Sequence, residues 1–322
     1  MGKEGNSLKL RAQKLVEEGL KAYDNSEIGK AASLLNEAVP LLKQVNKRDL
    51  VQNLLTEMGQ MHYEIGDYQA ALKDLEAKLE IVSETGNLKE EIETLMGLSH
   101  IHLLLRNYTS VLKYFKKALS LAHKIGDTED ELIVLLGIGA VYETLGIYYS
   151  AFRCFQETAR INHELGKIED EGEGLLRVAR IYARLGKYSA ALVTFLEALK
   201  IMKEIGNRKG EAMALQGAGN MYYEFEDYEN ALTCYEEILN IHQELGNGKQ
   251  KGDILRKIGE TYAKLKNYMN AIKYLEDALE AVKKIKAIEN EKTIQDTIKK
   301  LQTSSKIYGN SPEYFYNSMT KN

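Results

Sequence analysis

The sequence predicts an all-α fold, an array of about seven helix-turn-helix units with one further helix at its C-terminal end. Two observations lead to this prediction. Residues of one kind recur every 40 positions over most of the chain, and the apolar residues between them follow the spacing of a helix. Only 2 of the 322 residues are proline, so helices can run long without a break.

Tyrosines and glycines mark the period most clearly. One tyrosine lies at the turn of each of six units, and one glycine lies at the end of each of five units. Self-similarity at a fixed step is the sequence signature of a repeat array rather than of two separate domains. The tyrosines are Tyr68, Tyr108, Tyr148, Tyr188, Tyr228 and Tyr268, and the glycines are Gly86, Gly126, Gly166, Gly206 and Gly246.

Small and bulky residues keep the same step. A small residue in the first helix of a unit lets another helix approach closely, and a bulky residue in the second helix fills the space opposite. The small residues are Gly59, Ser99, Gly139, Ala179, Gly219 and Gly259. The bulky residues are Leu75, Phe115, Phe155, Phe195, Tyr235 and Leu275.

The unit at 207–246 shows how one repeat is built. Leu215 and Tyr222 belong to one helical pattern, which breaks at Glu226-Asp227 and resumes from Ala231. We expect the glycine before each unit to take the left-handed conformation that closes a helix, and the Asn or Asp after it to cap the next helix. Pairs of this kind are Gly86-Asn87, Gly126-Asp127, Gly206-Asn207 and Gly246-Asn247.

The residues Leu215, Gly219, Tyr222, Ala231 and Tyr235, with their equivalents in other units, resemble the tetratricopeptide repeat (TPR) family. The usual unit of that family has about 34 residues. The longer unit is similar to the arrays of Pins-type spindle-orientation adaptors and of rapsyn. The resemblance covers roughly residues 8–286 and implies an α-solenoid, in which first helices line a concave groove that binds a protein or peptide.

The repeat period gives expected boundaries. Residues 1–7 form an N-terminal extension, 8–286 the array, 287–308 a polar capping helix and 309–322 a tail. Pro40 falls in the second helix of the degenerate first unit, and we expect it to bend or shorten that helix. The expected units are 8–46, 47–86, 87–126, 127–166, 167–206, 207–246 and 247–286.

Several compositional facts exclude classes of protein. The formal charge of −4 lacks the basic surplus of a nucleic-acid-binding protein. The 2 cysteines exclude a disulfide scaffold and fit a reducing compartment. No run approaches the roughly 18 apolar residues of a membrane span, and the N-terminus lacks the apolar core of a signal peptide. We therefore expect a cytoplasmic protein with no nucleic acid partner and no membrane span.

Sequence motifs for catalysis or metal binding are incomplete. Cys154 and Cys234 share one register two units apart and are expected to be inert helix residues. His163-Glu164 begins a zinc-protease motif, but Lys167 replaces the second histidine ligand. The glycines of 137–139 and 217–219 fall inside predicted helices, where small residues serve packing rather than phosphate binding. The sequence thus predicts no enzyme, no cofactor and no metal site.

The resemblance also indicates which residues face the groove, from their offsets to the small residue of each first helix. The character of this predicted surface changes along the chain, from apolar to basic to polar. We therefore expect a partner segment with apolar and acidic parts. The predicted partner-binding residues are Met96, His100, Leu103, Leu136, Arg177, Arg180, Arg184, Gln216, Asn220, Tyr223 and Arg256.

Two interpretations of the arginine row remain open. Arg177, Arg180 and Arg184 share one helix face, because their spacing is i, i+3 and i+7. They are either a solvated surface network paired with neighbours such as Glu173 or a clamp for a carboxylate-bearing segment. The aromatic tail residues Tyr314, Phe315 and Tyr316 offer a further hypothesis, self-occupation of the groove or docking elsewhere.

Functions of two classes fit these features. The first is a non-catalytic interaction scaffold or adaptor in a cytoskeletal, polarity or ciliary assembly, the setting that the resemblance implies. The second is a peptide-sensing regulator similar to receptors with long-helix repeats. Those receptors usually have a DNA-binding or effector module before the array, and residues 1–7 are too few for one.

Overall fold

The computed structural model describes residues 3–245, 248–284 and 288–309, and these residues form fifteen α-helices and no strand. The helices are α1 (Lys3–Asp24), α2 (Ile28–Gln44), α3 (Arg48–Glu64), α4 (Tyr68–Thr85), α5 (Leu88–Leu104), α6 (Tyr108–Ile125), α7 (Thr128–Thr144), α8 (Tyr148–Glu164), α9 (Ile168–Arg184), α10 (Tyr188–Glu204), α11 (Arg208–Glu224), α12 (Tyr228–Glu244), α13 (Gly248–Lys264), α14 (Tyr268–Lys284) and α15 (Ile288–Gly309).

Helices of nearly equal length follow one another from α2 to α14, most of them with 17 residues. Nearly every described junction contains a residue in the left-handed region, which lets the chain turn sharply into the next helix. Glycine occupies most of these positions, including Gly86, Gly126 and Gly206, as predicted. Residues with side chains occupy the others, namely Ser26, Asn46, Arg106, Glu226 and Lys266.

Side-chain caps begin several helices where the sequence predicts them. The Asn87 side chain accepts a hydrogen bond from the backbone N–H of Glu90, and Asp127 accepts one from Asp130. Asn207 accepts one from the N–H of Gly210 at 2.8 Å. Each bond satisfies a donor that the first turn of a helix leaves without a partner. The pair Gly246-Asn247 lies outside the described residues.

Pro40 does not shorten its helix, which was one of the two effects that we expected of it. Helix α2 has 17 residues and continues to Gln44, like its neighbours. Ala38 and Leu42, on either side of the proline, are buried in one apolar cluster with Val51 and Leu55 of α3. This packing holds the last turn of the helix although proline removes one backbone hydrogen bond.

The glycines inside helices contact bulky side chains of neighbouring helices. A Cβ atom on Gly219 would lie 2.8 Å from Cε1 of Tyr235 in the same repeat, and one on Gly217 would lie 2.2 Å from Cε1 of Phe195 in α10. Gly137 meets Phe115 in the same way, at 2.6 Å. These glycines therefore serve close helix packing, as predicted, and do not form a phosphate-binding loop.

The chain divides into two compact units, Met1–Cys154 and Phe155–Asn322. In the first unit, consecutive helices bury apolar clusters around Leu35 and Met58 and around Ile92 and Phe115. In the second unit, one large cluster runs from Leu176 to Ile258. Within each unit, helices that follow one another in the chain pack together, as in a stack of two-helix repeats.

Candidate partner-binding site

A cavity of about 620 Å³ lies in the second compact unit, Phe155–Asn322. Helices α9, α11 and α13 supply most of its wall, and two residues of α10 and one of α12 complete it. Five residues predicted from the sequence line this one cavity. They are Arg180, Arg184, Gln216, Asn220 and Tyr223.

A hydrogen-bonded network forms one part of the cavity wall. The side-chain oxygen of Asn220 accepts hydrogen bonds from the Tyr235 hydroxyl at 3.0 Å and from Lys257 Nζ at 2.9 Å. Lys257 Nζ also lies 5.5 Å from the centroid of the Tyr235 ring. Because both bonds use the oxygen of Asn220, its amide N–H groups remain as donors for a carbonyl group in the cavity.

Burial changes the acidity of this network. Burial lowers the pKa of Lys257, and the neighbouring Arg256 lowers it further. Burial also raises the pKa of Tyr235, whose side chain is almost wholly buried. The Tyr235 hydroxyl therefore stays protonated near neutral pH and keeps its donor role.

Arg256 does not line the cavity. Its Nη1 atom donates a hydrogen bond at 2.6 Å to Glu260, which does line it. The ion pair offsets the charge of the Glu260 carboxylate. Glu224 is the other acidic side chain in the lining. The lining also contains three cationic residues, Arg180, Arg184 and Lys257.

Apolar side chains form the rest of the wall. Leu176, Phe195 and Met221 are buried, whereas Met213 and Tyr188 are 53% and 38% exposed. An exposed methionine next to aromatic rings is an adaptable apolar surface, because its side chain is unbranched and flexible. The cavity thus offers an apolar wall beside a cationic one.

A second cavity of about 870 Å³ adjoins the first, because Leu176, Arg180 and Met213 line both. Arg177 lines the second cavity, and its guanidinium carbon lies 5.8 Å from the centroid of the Phe155 ring. Glu173, which we expected near the arginines, lines the same cavity. The three arginines of α9 are therefore distributed along two adjoining cavities.

The other predicted residues belong to the unit Met1–Cys154. Met96 and Leu136 are half-buried, and Met96 packs against the cluster that contains Phe115. His100 is exposed, and its Nε2 lies 3.1 Å from the Tyr63 hydroxyl. Leu103 is 41% exposed.

The lining also contains residues that were not among our predictions, including Met213, Tyr188 and Phe195. Met213 lies outside the offsets from Gly219 that predict a groove-facing residue. Tyr188 and Phe195 were recognised only as markers of the repeat. Their contribution depends on the depth of the space between α9, α10 and α11, which a linear pattern does not define.

The structure also places the residues of the incomplete catalytic and metal-binding motifs. His163 Nδ1 lies 2.9 Å from Glu171 Oε1 across the junction of α8 and α9. Neither cysteine forms a disulfide, and Cys234 is buried. Among the described residues, no group of three or more His, Cys, Asp or Glu side chains is arranged to hold a metal ion. No helix in the described part of the chain is long and apolar enough to cross a membrane.

Comparison with protein families gives one match that spans most of the repeats. A family model described as "Tetratricopeptide repeat" matches residues 50–124, 170–244 and 210–284. Comparison with curated proteins finds no match.

Solved structures share the fold at low sequence identity. BtubC (BKLC) from P. vanneervenii is 17% identical with a TM-score of 0.58, over 71% of this chain and 92% of that chain. A STAND protein with a tetratricopeptide repeat sensor, from Pyrococcus horikoshii, is 19% identical with a TM-score of 0.61. The alignment covers 88% of this chain and 47% of that chain. The apo form of RapI is 15% identical with a TM-score of 0.52, over 86% of this chain and 99% of that chain.

Proposed function

This chain belongs to the tetratricopeptide repeat family, and on that premise we propose that it is a non-catalytic scaffold or adaptor that binds a segment of another protein. One observation supports this proposal above the others. The cavity in Phe155–Asn322 joins an apolar wall to a set of convergent polar groups, which is the usual composition of a binding site.

The cavity chemistry also suggests the character of the segment. Arg180 and Arg184 are a pair that can bind a carboxylate through two parallel hydrogen bonds each. The amide N–H groups of Asn220 fit a backbone carbonyl, and Met213 with Tyr188 fits an apolar side chain. The proposed partner is a protein or peptide segment with an acidic residue next to an apolar one.

We propose that the array consists of about seven units over residues 8–286 and that 287–308 caps it. The described bounds of α15, Ile288–Gly309, fit a capping helix, whereas most of the 309–322 tail lies outside the described residues. The proposed setting is a cytoplasmic cytoskeletal, polarity or ciliary assembly. Its support is the resemblance of the 40-residue units to known adaptors.

A peptide-sensing regulator is the second candidate function. The observation that favours it is the presence of a defined cavity of peptide-side-chain size, about 620 Å³, in place of a flat surface alone. One solved structure with this fold is a STAND protein described as having a tetratricopeptide repeat sensor. A scaffold and a sensor would share the site and differ in the consequence of binding for other proteins.

Selection from a random peptide display library on the full chain tests the proposal. We expect enrichment of segments that combine Asp or Glu with leucine-like or aromatic side chains. A sensor would respond to the free peptide with a changed affinity for a second protein, whereas a scaffold would only hold the two together.

The double variant Arg180→Glu/Arg184→Glu serves as the counter-selection. Segments that bind the wild-type chain and lose binding to the variant use the proposed site. If the two proteins select the same segments, the cavity in α9–α13 is not the binding site.

A further inference from the structure

The unit Met1–Cys154 contains a surface cavity with an unusual charge. Its volume is about 520 Å³, and it lies beside the junction of α5 and α6. Three exposed cations line it, namely Arg106, Lys113 and Lys116, and no carboxylate is among its lining residues. Leu112 and Leu145 supply an apolar part of the wall.

Two other lysines of the same repeat form ion pairs within the protein. Lys117 lies 2.7 Å from Glu91, and Lys89 lies within 2.8 Å of both Asp127 and Asp130. Among the described residues, no carboxylate oxygen lies within 4.0 Å of the charged groups of Arg106, Lys113 or Lys116. Their like charges are therefore left without a counter-charge from the described part of the protein.

Comparison with the equivalent positions of other repeats shows that this cluster occurs in one repeat. The position of Arg106 is glycine in three of the other five regular units, at Gly66, Gly146 and Gly186. The position of Lys116 is acidic in three of them, at Glu76, Glu236 and Glu276. No other regular unit has a cation at all three positions.

Arg106 occupies a backbone conformation that costs free energy. Its φ angle is +56°, in the left-handed region, where a residue with a side chain is disfavoured. Glycine fits this junction without strain, as it does elsewhere in the chain. Unlike glycine, Arg106 adds a guanidinium group to the wall of the cavity, beside the two lysines.

We propose that this cavity binds a phosphorylated serine or threonine in a segment of a partner protein. A phosphoryl group has a charge of about −2 and three acceptor oxygens, which match three converging cations better than one carboxylate does. Leu112 and Leu145 would contact an apolar side chain next to it. A concave site of this volume suits a short peptide segment, whereas a flat anionic membrane suits a broad basic face.

The site is independent of the cavity in Phe155–Asn322, so its test does not depend on the proposed function. The probe is a short fluorescent peptide with one phosphoserine between leucines, measured by anisotropy with the full chain. Its unphosphorylated twin is the first control. We expect the phosphopeptide to bind at least about fivefold more tightly, since two or three exposed charge pairs contribute roughly 1 kcal/mol or more.

Substitutions locate the binding. Lys113→Gln/Lys116→Gln should weaken phosphopeptide binding at least about fivefold. The matched control is Lys73→Gln/Lys273→Gln, which removes two exposed lysines of the Lys113 register from other repeats and should leave the affinity unchanged. An equal loss in both variants would mean a general charge effect and would overturn the proposal.

Arg106→Gly provides a signature that a purely structural role cannot produce. The change should raise the thermal midpoint by about 1–3 °C, because it relieves backbone strain, and yet weaken phosphopeptide binding. Glu226→Gly should raise the midpoint without affecting binding.

Three outcomes contradict the proposal. They are equal binding of the two peptides, a loss of binding only in Arg180→Glu/Arg184→Glu, and sedimentation with phosphatidylserine vesicles that depends on Lys113 and Lys116 in the absence of phosphopeptide binding.

Discussion

Among the described junctions, three have a residue with a long side chain in the left-handed backbone region, namely Arg106, Glu226 and Lys266. Most other junctions place glycine there. We propose no binding role for Glu226 or Lys266 that would offset the free-energy cost of this conformation. The protein would therefore be more stable with glycine, the usual junction residue, at these two positions.

We predict that Glu226→Gly stabilises the protein by about 0.5–1 kcal/mol, because glycine takes the left-handed conformation without a Cβ clash. Urea denaturation followed by circular dichroism measures the change. Gly186→Ala, which places a Cβ in the same conformation at another junction, should cost about 1 kcal/mol. A loss of stability in Glu226→Gly would show that the glutamate has a role at the junction that outweighs the strain.

Cysteine reactivity is a second property of single residues. Burial raises the pKa of Cys234 to about 11 and raises that of Cys154 as well. A raised pKa keeps a thiol protonated, so at pH 8 only about 0.1% of Cys234 is thiolate. We predict that Cys234 reacts slowly with Ellman's reagent in the native protein and that its rate rises about tenfold per pH unit towards pH 11.

The half-buried Cys154 should react faster than the buried Cys234, and both should react at once in denaturant. Single Cys→Ala variants assign the two phases. Rapid native reaction of Cys234 at pH 8 would contradict the burial described here.

At the scale of helices, the spacing between them depends on glycines whose surroundings differ. A Cβ on Gly59 in α3 would lie 3.5 Å from Leu75, which is ordinary van der Waals contact. A Cβ on Gly217 in α11 would lie 2.2 Å from the ring of Phe195. The same substitution should therefore have opposite effects at the two sites.

We predict that Gly59→Ala stabilises the protein by about 0.5–1 kcal/mol, because alanine favours a helix interior. Gly217→Ala should destabilise it by about 1–3 kcal/mol, because the rigid Phe195 ring must move. It should also weaken partner binding, since both residues line the cavity. Equal effects in denaturation experiments would mean that α10 and α11 are not packed as described.

The helices are also the part of the fold that the sequence predicts best. The 40-residue period, the glycine–asparagine junctions and the small-to-bulky pairs each correspond to an observed contact or cap. The effect of Pro40 was not predictable, because the packing of Ala38 and Leu42 holds the helix on both sides of it. Propensity alone does not include that tertiary contribution.

At the scale of the whole molecule, function depends on which side chains converge between helices that are distant in sequence. Five of the eleven predicted partner-binding residues line one cavity in Phe155–Asn322. Arg256 is paired with Glu260, and Met213 enters the lining from an offset that the pattern omitted. Periodicity defines the face of a helix, whereas ion pairing and cavity depth depend on side-chain conformations that only the three-dimensional structure shows.

The central claim is that Arg180 and Arg184 bind an acidic residue of a partner segment, with Met213 and Tyr188 contacting an apolar residue next to it. The measurement that tests it most directly is the dissociation constant of one selected segment for three forms of the full chain. They are the wild type, Arg180→Glu/Arg184→Glu and a matched charge control, Lys200→Glu/Lys273→Glu, whose lysines are exposed on α10 and α14.

We expect the arginine variant to bind at least about tenfold more weakly, which corresponds to about 1.4 kcal/mol, and the lysine variant to match the wild type. All three forms should give the same circular dichroism spectrum. If the arginine variant keeps the wild-type dissociation constant, or if both variants lose affinity equally, the cavity of α9 to α13 does not recognise the acidic residue.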